Sequence, residues 1–110
     1  MATTAYLDID QGSDFVSEMT LENEDGTPMI LTGFNVRSQF RKSYNSLVGY
    51  DFVATITNAT QGKFTLSLSG VASSAIKPGR YLYDVEVYGT QTKTRVVEGV
   101  ITISPEITKI

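Results

Sequence analysis

Two carboxylates, Asp84 and Glu86, stand two residues apart in the stretch Gly79-Arg80-Tyr81-Leu82-Tyr83-Asp84-Val85-Glu86-Val87-Tyr88. On an extended strand this spacing puts both acids on one face, roughly 7 Å apart, near the separation at which paired acids cleave glycosidic bonds. That chemistry also needs a cleft lined by sugar-binding aromatics, and Tyr81 and Tyr83 have the opposite parity. The simpler assignment is cross-strand pairing of the two acids with Arg37 and Arg41, each exposed pair contributing less than about 1 kcal/mol. A second acidic group, Asp8, Asp10 and Asp14 around Gly12, offers alternating oxygens of the kind that hold calcium. Its spacing departs from the helix-loop-helix calcium motif, because the glycine falls one position early and Met19 stands where the bidentate glutamate belongs. An ordinary acidic turn accounts for the same residues. Asn58-Ala59-Thr60 fits the glycosylation acceptor pattern, and in a turn of this kind the match reads as chance.

What the sequence lacks is more decisive. The chain has no histidine, so the usual general base near neutral pH and the commonest transition-metal ligand are both missing. It has no cysteine either, which removes disulfides, thiolate nucleophiles and ordinary zinc sites. A non-enzymatic protein with no cofactor and no bound metal is the expectation. Twelve acidic and nine basic residues give a net charge of −3, and Arg37, Arg41 and Lys42 are too few to form a nucleic-acid patch. The N-terminus, MATTAYLDID, has neither the basic start nor the apolar run of a signal peptide, and no apolar stretch approaches the ~20 residues that span a bilayer. No nucleic-acid partner and no membrane contact are expected.

The elements that must position these residues follow from apolar side chains repeating with period two. Leu7 and Ile9 face inward from a first short strand; Phe15, Met19 and Leu21 do so from a second, with Glu18, Thr20 and Glu22 outward. Glu22 to Pro28 is a turn, with Gly26 suited to positive φ. Phe34, Val36 and Phe40 face inward from a third strand, opposite in parity to Arg37, Gln39 and Arg41, and Ser43 to Gly49 is a loop. Phe52, Ala54 and Ile56 pair across Asn58 to Gly62 with Phe64, Leu66 and Leu68 as a hairpin. Gly70 to Ile76 holds at most one helical turn. Tyr81, Tyr83, Val85 and Val87 line the inner face of a sixth strand, and Val97, Ile101 and Ile103 that of a seventh from about Thr94 to Ile103, closed by Ser104-Pro105. The expected architecture is an all-β, immunoglobulin-like antiparallel β-sandwich of about seven strands, one domain over residues 1–110 with short terminal arms, Met1 to Ala5 and Glu106 to Ile110.

The outward parity leaves an apolar stripe, Leu82 and Tyr88 on the sixth strand with Val96 and Val100 on the seventh, which is the candidate protein-interface patch. A bulge at Glu98-Gly99 would instead turn Val100 inward.

Five ordered segments carry a resemblance: Asp10 to Phe15; Asp25 to Pro28 with Leu31 to Phe34; Arg37 to Lys42; Gly79 to Val85; and Val97 to Ile103. Together they resemble small virion structural proteins of tailed bacteriophages, and they are similar to the immunoglobulin-like N-terminal domain of phage baseplate upper proteins. Unlike the baseplate proteins, this sequence ends at Ile110 with no receptor-binding or helical extension, so a stand-alone adaptor or decoration subunit is as much an expectation as a baseplate role. The resemblance implies a protein of the virion that docks without catalysis in the tail, neck or baseplate or on the capsid. Its partners would be other virion proteins and copies of itself. The alternative is a binding module, an adhesin or carbohydrate-recognising β-sandwich that uses Tyr44, Tyr50 and Tyr88 near its loops.

Overall fold

In the computed structural model, which describes residues 3–107, the strands form two packed sheets in a small, mostly antiparallel all-β domain. Along the chain run β1 (Thr3–Thr4), β2 (Leu7–Asp10), β3 (Phe15–Thr20), β4 (Asn35–Arg41), β5 (Tyr50–Asp51), β6 (Val53–Asn58), β7 (Lys63–Leu68), α1 (Gly70–Ser74), β8 (Gly79–Tyr88) and β9 (Lys93–Ser104). Sheet A has the order β1-β9-β8-β4-β5, with β2 also on β9, and sheet B the order β3-β7-β6. Two short strands add to the seven expected: β1 falls within the expected N-terminal arm, and β5 precedes the expected fourth strand, where the chain changes sheets at Phe52. The amide of Phe52 still bonds to Ser38 of β4, while its ring drops into the core against Phe40 at 4.9 Å and Phe15 at 5.9 Å between centroids.

The alternation read from the sequence sets the core. Phe40, Phe64, Leu66, Val85 and Ile101 are fully buried between the sheets, and Tyr81 and Tyr83 are 5% and 4% exposed. The turns also fall as expected: Gly26, Gly33 and Gly62 take positive φ, and α1 is a single short helix capped by Ser69. Phe34, expected inward, precedes β4 and is 39% exposed. Buried tyrosines need partners for their hydroxyls. Tyr81 donates to the Lys77 carbonyl four residues upstream, and Tyr83 donates to the Ala5 carbonyl at 2.8 Å. Burial pushes the Tyr83 phenol up to about 12.

That second bond explains how the N-terminal strands attach. β1 and β2 both run parallel to β9, and between them Ala5 donates its amide to the Glu98 carbonyl while its own carbonyl reaches Tyr83. The carbonyl lies where residue 99 would carry a Cβ, so an alanine there would overlap it. Only glycine leaves that gap. Thr3 to Ala5 are therefore a paired strand and its link, not the loose arm expected over Met1 to Ala5; Met1, Ala2 and residues 108–110 lie outside the described residues.

The acidic turn is consumed locally. Asp14 accepts from the Gly70 amide at 2.7 Å, and the buried Ser73 hydroxyl accepts from Gly12 and donates to Ser13. Asp8 and Asp10 point outward from β2, and among the described residues no three acids gather as a metal-binding group. Among those residues, too, no helix is long and apolar enough to cross a membrane.

Gly99→Ala is expected to displace the N-terminal strands and to lower unfolding free energy by ~2–3 kcal/mol, from overpacking plus the lost Tyr83 hydrogen bond. Tyr83→Phe alone should cost about 1 kcal/mol. Both act through the same contact, so the double variant should fall short of their sum in urea unfolding.

Candidate functional site

The outer face of sheet A is built by the alternate residues of three neighbouring strands. β4 contributes Arg37, Gln39 and Arg41, β8 contributes Leu82, Asp84 and Glu86, and β9 contributes Glu98 and Val100. Register decides which of them meet: Arg37 lies opposite Glu86, Leu82 opposite Val100, and Asp84 opposite Glu98. The last pairing sets two carboxylates side by side, which is unfavourable unless a cation joins them.

Arg95 supplies that cation by way of a bulge. Pairing passes from Val85↔Val97 directly to Glu86↔Arg95, so Val96 is an extra residue in β9. Beyond the bulge the parity reverses. Arg95 emerges on the outer face, 3.1 Å from Asp84 and 3.3 Å from Glu98, and Val96 turns inward to 7% exposure. Asp84 most of all raises the Arg95 pKa further, a slight loss of solvation opposes it, and Glu98 adds to the rise.

The expected apolar stripe is thus corrected. Val96 is a core residue, and the irregularity sits there instead of at Glu98-Gly99. Leu82 and Val100 do meet on the outer face, both partly exposed. Tyr88 lies apart from them, beneath the Arg37 guanidinium at 4.4 Å from its ring centre. The salt bridges also differ in part from expectation. Arg37 pairs with Glu86 at 2.9 Å as anticipated, but Arg41 turns to the Ser46 carbonyl and the Gln39 amide oxygen, bracing the loop after β4, and Asp84 takes Arg95.

Over this face runs a concavity of about 660 Å³. Its floor crosses β9, β8 and β4, roughly 10 Å at the usual strand spacing. Tyr6, from the link between β1 and β2, flanks it on the β9 side, and Tyr44, from the loop after β4, on the other. Their side chains are among the most open aromatics of the chain, at 75% and 79% exposure. Tyr50 does not join them; it stacks on Phe40 at 5.2 Å and meets Tyr81 edge-on. The sequence reading missed Tyr6, which lies in the short link between β1 and β2. Arg37, Arg41 and Arg95 balance Asp84, Glu86 and Glu98, so the lining carries no net charge.

No family model matches this sequence, and no curated protein does. Among solved structures, the chain is similar to InlP of Listeria monocytogenes, at 17% identity and a TM-score of 0.50, over 94% of this chain and 28% of that one. It is also similar to a family 123 glycoside hydrolase from Clostridium perfringens, at 11% identity and a TM-score of 0.45, over 98% of this chain and 24% of the hydrolase. The chain thus spans about a quarter of the length of each. The first likeness speaks for the fold alone, and the second carries no argument.

Because the groove's ion pairs are exposed, Arg95→Ala should leave the domain folded and lower its stability by no more than ~1 kcal/mol. The cost should shrink when urea unfolding is repeated in high salt, which screens the carboxylate pair.

Proposed function

We propose that this chain is a non-catalytic recognition module, an immunoglobulin-like sandwich that binds a neutral carbohydrate chain along the outer face of sheet A. The fold assignment is supported by β1 and β2 lying parallel to β9 in an otherwise antiparallel framework. It is supported further by the Tyr81 hydroxyl bonded back to Lys77 near the start of β8, the corner arrangement typical of such sandwiches.

The observation that carries the ligand class is the groove between Tyr6 and Tyr44 with its balanced charges. Sugars present an apolar ring face, which an open tyrosine can stack against, and an equator of hydroxyls that both donate and accept. Planar guanidinium and carboxylate groups already fixed to one another meet such hydroxyls without reorganisation. A polyanion would gain nothing from a surface with no net charge. Asp84 and Glu86 are engaged by Arg95 and Arg37, an arrangement suited to holding a ligand in place.

A second reading, assembly into a tailed-phage particle, is favoured by where the resembling segments fall. Arg37 to Lys42, Gly79 to Val85 and Val97 to Ile103 belong to the neighbouring strands β4, β8 and β9, and Leu82 and Val100 of two of them form an apolar contact on the groove floor. On this reading the same face docks other virion proteins.

A glycan array probed with the full chain should give saturable binding to uncharged oligosaccharides. Tyr6→Ala and Tyr44→Ala should each weaken that binding about five- to tenfold in calorimetry, the loss of one stacking contact. An array without saturable signals removes the carbohydrate reading. For the virion reading, Val100→Asp should leave the protein folded yet exclude it from particles; normal incorporation counts against that role.

A further inference from the structure

Sheet B ends at β3, whose side away from β7 pairs with nothing among the described residues. Such an edge offers half of its backbone donors and acceptors to any strand that arrives. The other edges of the molecule are guarded. β6 is broken by a register shift between Ile56 and Asn58, β1 and β5 are two residues each, and β2 carries Asp8 and Asp10. β3 has fewer of these devices: it pairs with β7 over six residues in unbroken register, has no proline and no basic residue, and carries a single charge, Glu18. Its inner side chains Phe15, Ser17 and Met19 are only partly covered. Beside them a smaller cleft of about 260 Å³ opens between the sheets, lined by Met19, Leu21, Met29 and Val97 among others.

We propose that a second copy of this chain pairs its β3 antiparallel with this one across a two-fold axis, joining the two copies of sheet B into one continuous sheet. The register follows from side-chain chemistry. If the inner faces of both copies are to remain on one side, residues of equal parity must oppose, so the axis passes through a residue and not between two. An axis at Glu18 sets the two Glu18 carboxylates against each other, and axes at Val16 or Met19 leave only three residues of each β3 opposed. An axis at Ser17 opposes Ser17 to itself, Val16 to Glu18 and Phe15 to Met19. In that register no charge faces its like, the Phe15 and Met19 side chains make sulfur–aromatic contacts, and the strand is self-complementary as a two-fold contact requires. The contact is small, so the dimer belongs with transient assemblies below ~1,200 Å².

The test is sedimentation velocity on the full chain over a range of concentrations, with dimer expected at ~100 µM and monomer by ~1 µM, as for a small transient interface. Val16 is 68% exposed and Glu18 is exposed, so substitutions at either leave the monomer intact. Val16→Glu would set a new carboxylate against Glu18 of the other copy twice over, and should weaken the dimer at least tenfold. Adding Glu18→Lys to that variant turns both contacts attractive and should restore dimerisation to the original level or above. The proposal is overturned by a chain that stays monomeric at ~1 mM, well above the range of transient interfaces. It is equally overturned by a dimer indifferent to Val16→Glu, by failure of the double variant to recover, or by a dimer lost in Val100→Asp instead.

Discussion

Asp84 and Glu98 face each other across β8 and β9 and would repel if Arg95 did not reach between them, and Arg95 reaches them only because Val96 is the extra residue of a bulge. Both faces of sheet A depend on this one irregularity. Without it Arg95 would point into the core as a buried charge and Val96 would lie in water, an exchange that costs several kcal/mol at the charge alone. With it the core gains a valine, and the groove gains the guanidinium that neutralises its centre. Sheet A can therefore carry a charged yet balanced outer surface over an inner face that is mostly apolar.

The remaining constraint is aromatic. Phe40, Phe52, Tyr81 and Tyr83, joined at their edges by Phe15 and Tyr50, tie the strands of sheet A to the point where the chain leaves it for sheet B. Ser38, buried beside them, donates to the Asp84 carbonyl, so even the polar group on the inner face of β4 fixes the position of β8. The groove is thus held from beneath: its floor residues alternate with side chains locked in this cluster.

Much of this was legible in the sequence because period-two alternation reports directly which side chains share a face. It located β8 and the hairpin of β6 and β7, and it buried Tyr81, Tyr83 and Phe64 correctly. Alternation says nothing of which strand lies beside which, so the parallel attachment of β1 and β2 to β9 was hidden, as was the pairing of Arg95 with Asp84. Parity did contain a warning at the bulge. If Val97 points inward in a regular strand then so does Arg95, and a buried unpaired arginine is not tolerated. Tyr6, unlike Tyr44, escaped notice, although both lie in links without periodicity, where the direction of a side chain is set by tertiary contacts. The brace from Arg41 to Ser46 holds the second of these links.

The parallel run of β2 beside β9 also determines how the molecule bears load. Tension entering the backbone ahead of β1 and leaving it beyond β9 pulls these strands past each other along their length. Every ladder bond from Leu7↔Ile101 to Asp10↔Ser104 is then strained at once, not opened in sequence from one end. The Ala5 carbonyl, pinned by Tyr83 over the gap at Gly99, works as a latch against the same sliding. Geometry of this kind raises the barrier to forced unfolding without any added thermodynamic stability.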